Sequence, residues 1–165
     1  MITLPQEFSP DERAEKAMAL FRQGFNCTQS VILAFADVLE SSGMAGEQLL
    51  KVIGSGFGGG MGRLREVCGA FSGCTMMAGF ISPADVPADM EARKENYAIV
   101  QEFAEKFRHA NGGSIVCREL LGLDRSSAQE SPAPSARTAE YYRKRPCPQI
   151  IGNAARIVAE KLLEK

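Results

Sequence analysis

Apolar residues recur along this chain at helical spacing, and the breaks between runs fall at Gly, Pro and small polar residues. Ser9-Pro10-Asp11-Glu12 is a start signal: Ser9 can cap, Pro10 suits a first turn, and Glu12 completes a capping box. Ala14, Ala17, Met18 and Phe21 follow at helical spacing, and Gly24 ends the run. Asn26 is placed to cap a second helix carrying Val31, Ile32, Phe35 and Leu39. A short helix is predicted over residues 47–53, and another that resumes before Cys68 and runs to about Ile81. Beyond the turn at Pro83 and Pro87, a long helix over 88–110 puts Met90, Tyr97, Val100, Phe103 and Phe107 on one face. Asn111-Gly112-Gly113 closes it. Ser114 is placed to cap a short helix, "IVCRELLG", that stops at Gly122. The last helix starts near Pro148 and uses Ile151, Ala154, Ala155, Val158 and Leu162.

Two stretches break this pattern. "GSGFGGGMGRLREVCGAFSGC", residues 54–74, is rich in glycine, which weakens helices and permits positive φ. "DRSSAQESPAPSART", residues 124–138, is polar and nearly free of large apolar groups, which predicts a mobile loop. No pair of alternating segments could make a sheet. The pattern predicts an all-α, single-domain, multi-helix bundle over residues 1–165 with a Gly-rich crossing segment.

Composition narrows the class of function. The 165 residues are 45% hydrophobic and 24% charged, as in an ordinary globular domain, with a net charge of −1. That balance lacks the basic footprint of a nucleic-acid binder and gives no case for a membrane surface. No apolar run reaches the length of a membrane span. "MITLPQEFSPDERAEKA" lacks the basic and apolar regions of a signal peptide, which predicts a cytoplasmic location. Five cysteines in that setting point to metal or redox chemistry rather than to a disulfide framework.

The predicted helices give four of those cysteines a common placement. Cys27 and Cys117 fall in first turns, Cys147 directly before Pro148 can itself cap, and Cys68 follows the Gly-rich break. Free N–H groups and the positive end of the helix dipole favour an anion there, which lowers a thiol pKa and favours the thiolate. Each could instead be a small buried apolar residue. Cys74, in the small, apolar "SGCTMMAGF", is read as core packing. The steps from Cys27 to Cys68, Cys117 and Cys147 are 41, 49 and 30 residues, with no close C-x-x-C pair of the kind zinc, iron–sulfur or thioredoxin-like sites show.

Together, Cys27 in "FNCTQSV", the glycines of "GFGGGMGR" with Cys68 in "CGAFSG", Cys117 in "GSIVCRELLG" and Cys147 in "RPCPQII" make an ordered four-block pattern. It resembles the redox-active proteins named for the signature C_GCAxxG_C_C, over about residues 10–163. Two features depart from that label: Gly69 follows Cys68 rather than preceding it, and Cys74 lies outside the four-cysteine set. The resemblance extends to split-Soret cytochromes. It implies redox chemistry at Cys27, Cys68, Cys117 and Cys147, a raised expectation of an iron–sulfur centre on those four, and a homodimer. Haem c is not expected, because the chain has no C-x-x-C-H segment.

Three functions remain open at this level. The first is an iron–sulfur or other metal centre for electron transfer, where helix N-termini would offset the thiolate charge. Arg143, Lys144 and Arg145 would assist it or dock an acidic redox partner; they read equally as a solvated basic run. The second is a metal-free thiol–disulfide protein cycling one pair, such as Cys27 with Cys68. The third is structural zinc. Gly54-Ser55-Gly56-Phe57-Gly58-Gly59 also satisfies G-x-G-x-x-G, but without a preceding strand a nucleotide or flavin loop is disfavoured. Gly58, Gly59 and Gly60 are read as scaffold, letting the backbone approach other helices and place Cys68 against Cys27. His109, the only histidine, falls at a helix C-terminus, where a solvated imidazolium is favourable, so no ligand role is assigned to it. Tyr141 and Tyr142 flank the basic run and are expected to pack the loop on the core, and the seven methionines are read as packing residues.

Overall fold

The helices begin where side chains can satisfy the first free amides. The computed structural model describes residues 1–124 and 130–164. In α1 (Pro10–Arg22), Ser9 Oγ accepts from the Glu12 amide. In α2 (Cys27–Leu33), Asn26 and Gln29 form a complete capping box. Then come α3 (Ala36–Ser41), α4 (Glu47–Gly54), a 3₁₀ turn (Ser55–Phe57) and a single kinked turn, α5 (Gly58–Met61). The longer α6 (Gly69–Ile81) and α7 (Met90–Ala110) follow, the second capped by Asp89. Last are α8 (Cys117–Leu120), α9 (Ala139–Lys144) and α10 (Cys147–Leu163). The fold is all-α; among the described residues the only β feature is an isolated bridge between Val67 and Val116.

The core lies around α6, which touches α2, α7 and α10, while α1 runs along α10. Phe21, Val31, Ile32, Leu39, Met77, Phe103, Phe107, Ile151 and Val158 are fully buried in it. Close packing uses glycine: a Cβ on Gly73 would lie 2.7 Å from the Val31 Cβ.

Several expected boundaries moved for tertiary reasons. The single helix predicted after Asn26 breaks at Ala34-Phe35. The carbonyl left free there, Ala34 O, accepts from Arg13 Nη1 at 2.7 Å, and the same guanidinium grips both carboxylate oxygens of Asp37. The helix expected to resume before Cys68 instead starts at Gly69, with Cys68 as its N-cap. Ser114 does not cap α8; its hydroxyl accepts from the Val116 amide and pairs with Glu119, so the helix begins at Cys117. Met90 and Tyr97, expected on the buried face of α7, are 64% and 58% exposed. That end of α7 passes the C-terminus of α6, where Asn96 donates to the Ala78 and Ser82 carbonyls and polar contact replaces apolar.

The segment read as a mobile loop falls partly outside the described residues, which omit 125–129. In its described part, Glu130, Ser131 and Ser135 contact Arg63, Glu130 also pairs with Arg65, and Arg137 donates to the Phe21 and Phe25 carbonyls. Helix α9, which follows, has no counterpart in the sequence reading; Thr138 caps it. No helix among the described residues is long and apolar enough to cross a membrane.

Candidate four-cysteine site

The starts of four helices meet at one small cavity. Cys27, Cys117 and Cys147 are the first residues of α2, α8 and α10, and Cys68 precedes α6 as its N-cap. All four line one cavity of about 20 Å³, with Ala70, Leu120 and Ile151 among its apolar walls. That is room for about one water-sized body. The four are free thiols.

Backbone contacts bring them together in pairs. The Val67–Val116 bridge clips two chain segments: the Cys68 amide donates to Ile115 O at 2.8 Å and the Cys117 amide to Glu66 O at 2.6 Å. Cys68 and Cys117 are thereby set on facing stretches. The N-termini of α2 and α6 are joined by Thr28 Oγ1, which donates to Gly69 O at 2.6 Å.

Glycine allows the remaining approach. A Cβ on Gly69 would lie 2.9 Å from the Cys27 Cβ, and one on Gly60 would lie 2.7 Å from the Cys117 Cβ. Gly58 abuts Asn26, the residue that caps the helix of Cys27, with a would-be Cβ at 2.6 Å. The expectation that Gly58–Gly60 set Cys68 against Cys27 is thus corrected in detail. Gly60 seats Cys117, Gly58 seats the Cys27 cap, and Gly69 makes the approach to Cys27. G-x-G-x-x-G follows α4 rather than a strand, so the βαβ context of a dinucleotide fingerprint is missing.

The turn that carries these glycines holds non-glycine residues in the left-handed region: Met61 at φ 63°, Arg63 at 68° and Arg65 at 58°. Amides of Arg63, Arg65 and Glu66 bond back to the carbonyls of Gly58, Gly59 and Gly60, which holds the coil closed. Arg63 and Arg65 face inward and share Glu130, while Leu64 between them is 59% exposed. Arg65 Nη1 lies 3.9 Å from the Cys117 sulfur.

Charge at the thiols is set by burial as much as by helix ends. The expectation that all four placements lower the pKa fails for three of them. Burial pushes Cys68 up to about 12, against the pull of the Ala70 and Phe71 amides. Burial also raises Cys117, which Arg65 only partly offsets. Cys27 is raised because its proton is held by the Cys147 sulfur, and burial adds to this. Cys147 alone is lowered, to about 7, first by the hydrogen bond from Cys27 and then by Arg145, Arg65 and Arg137. The short α2 and α8 offer little dipole, whereas guanidinium groups at the Cys147 side supply full charges.

Cys74 stands apart. It is fully buried, with its sulfur 3.6 Å from Ala154 O, and it does not line the cavity. His109 lies in the last turn of α7, in a surface groove away from the thiols. Arg65, Arg137 and Tyr141 approach the site without having been singled out as site residues by spacing. The alternation Arg63-Leu64-Arg65 directly after the glycines was the one local signal for the first of them.

By donor chemistry the set suits a soft metal centre: four sulfurs, and no carboxylate or imidazole in the cavity. No three His, Cys, Asp or Glu side chains among the described residues are arranged to hold a single metal ion. A mononuclear tetrahedral site would need sulfurs about 2.3 Å from one point. The family model described as "Putative redox-active protein (C_GCAxxG_C_C)" matches residues 25–161. Comparisons with curated proteins and with solved structures return no match.

Proposed function

This chain belongs to the C_GCAxxG_C_C family, and on that premise we propose that Cys27, Cys68, Cys117 and Cys147 form one redox site that holds an iron–sulfur centre. The supporting observation is the convergence of these four thiols, from four separate helix starts, on one apolar-walled cavity; at about 20 Å³ it holds one water-sized body, so a multi-iron centre requires the thiols to move apart toward the larger cavity that three of them also line. Such a centre, when bound, supplies one-electron transfer between thiolate-held irons and a partner. The chain's own part is to present four sulfurs and exclude water with Leu120 and Ile151. Arg65 and Arg145 place positive charge where thiolates accumulate negative charge. Mononuclear zinc is the weaker metal reading, because the four cysteines include no close C-x-x-C pair of the kind zinc sites use.

A second reading rests on a separate observation: Cys27 and Cys147 both line the thiol cavity and also its larger neighbour, which Cys68 does not reach. In a metal-free protein, the Cys147 thiolate would attack an external disulfide and release one thiolate. The Cys27 sulfur would then displace the other half, leaving a Cys27–Cys147 disulfide, one free thiol and one thiolate. In this reading the cycling pair is Cys27 with Cys147 rather than Cys27 with Cys68, the example offered from sequence.

Iron and acid-labile sulfide, assayed on protein expressed and purified without oxygen, separate the two. Stoichiometric iron and sulfide, lost when Cys68 is replaced by Ser, are expected. Cluster-free protein whose Cys27 and Cys147 convert reversibly to a disulfide by mass mapping would replace the first reading with the second.

A further inference from the structure

Beside the thiol cavity and sharing Cys27, Cys117 and Cys147 with it lies a larger cavity of about 360 Å³. Four arginines, Arg63, Arg65, Arg137 and Arg145, line it together with Tyr141, and among the described residues no acidic side chain does. Glu130 pairs with Arg63 and Arg65. Arg137 and Arg145 have no carboxylate partner among the described residues. Arg137 stacks 4.1 Å from the Phe21 ring centroid and 5.2 Å from that of Tyr141 and spends one N–H of each terminal nitrogen on the Phe21 and Phe25 carbonyls, leaving its other donors; Arg145 lies 5.4 Å from the Tyr141 centroid.

Three features point the same way. Stacked guanidinium groups keep their donors pre-oriented, and the planar fork matches carboxylate and phosphate oxygens. The volume falls within the roughly 300–1,000 Å³ of small-molecule sites. The backbone at Arg63 and Arg65 is held at φ 68° and 58°, a strained conformation that clusters at ligand clamps.

We propose that this cavity binds a small polyanion carrying carboxylate or phosphate groups, seated on Arg137 and Arg145 directly over the thiols. A folded acidic partner is the poorer fit, because these guanidinium groups line a walled recess while Arg143 and Lys144 stand outside it, exposed. The binding itself rests on the cavity alone. Its connection to electron or thiol chemistry rests on the function proposed above.

Isothermal titration calorimetry of the anaerobically purified chain, in low-salt buffer, with citrate and separately with pyrophosphate, tests this. One-to-one binding of at least one probe is expected, and the tighter probe assigns carboxylate or phosphate. Arg137→Gln and Arg145→Gln should each weaken it about tenfold or more, as for loss of one charge-assisted contact. Lys94→Gln, on α7 with its ammonium paired to Glu91, should leave it unchanged. Arg145→Gln removes a stacking contact and the positive charge beside Cys147 but no ion pair among the described residues, so it remains informative if Arg137→Gln disturbs folding. Absence of one-to-one binding by either probe, or wild-type affinity in the Arg145 variant, overturns the proposal. Iron, sulfide and thiol content measured on the same samples keep the two claims separate. Cluster-loaded protein that binds neither anion overturns this inference alone, and cluster-free protein that binds one overturns the iron–sulfur reading alone.

Discussion

A Cβ on Gly60 would meet the Cys117 Cβ at 2.7 Å and the Glu66 amide nitrogen at 2.8 Å, on backbone at φ 70°. Neither neighbour can yield cheaply, since both belong to the clip that sets Cys117. Gly60→Ala should therefore cost about 2–4 kcal/mol, from left-handed strain plus overpacking, read as a lower urea midpoint. Gly56→Ala, with nothing within 4 Å of its would-be Cβ, should stay within about 0.5 kcal/mol of wild type. Equal losses in both would show that glycine acts here only through chain flexibility. The thiols make a second prediction at this scale. In reduced, metal-free protein, iodoacetamide should modify Cys147 first, at a rate that rises as pH passes about 7. Cys68, pushed up to about 12, should lag throughout. Because Cys147 is depressed in the folded state, its thiolate stabilises the fold above the ordinary thiol pKa, and that contribution is lost as pH falls through about 7. A Cys147 midpoint near the unperturbed value of about 8.5 would contradict this account.

At the scale of elements, the α2–α3 break depends on Arg13. It is buried, bonds the freed Ala34 carbonyl and grips Asp37, whose carboxyl the Arg13 and Lys16 charges hold well below the usual range despite the opposing effect of burial. Arg13→Met should destabilise the fold by about 2–3 kcal/mol; Asp37 is half exposed, so the loss falls short of a fully buried pair. In wild type, this contribution is complete above the unfolded carboxyl pKa of about 3.9 and is lost as pH falls below it, so the variant's deficit should shrink in acid melts. A deficit that is constant down to low pH would assign the effect to packing alone. This element also shows what could be read from sequence. Helices α1, α4, α6, α7 and α10 were legible because caps, glycine stops and apolar spacing are local signals. The break at Ala34-Phe35 was not, because the group that satisfies it comes from another helix. Helix α9 was hidden for a related reason: its few residues are held by Phe21 against Tyr141 and Tyr142 rather than by a periodic stripe.

At the scale of the whole molecule, the sequence placed four cysteines near helix starts but carried no distances. Their convergence depends on a two-residue bridge, Val67 to Val116, and on bare glycine faces at Gly60 and Gly69. Spacing could not reveal either, and it misassigned three of the four thiol shifts because burial depth is a tertiary property. The arginine-lined cavity was likewise invisible, since Arg63 and Arg65 come from one turn and Arg137 and Arg145 from the far end of the chain. The proposal on which most depends is that the four thiols hold one iron–sulfur centre. The most direct test is the ultraviolet–visible spectrum of protein purified without oxygen, taken before and after dithionite. Broad visible absorption that bleaches on reduction is expected, as a thiolate-held iron–sulfur centre requires. A colourless protein, unchanged by dithionite, would contradict it.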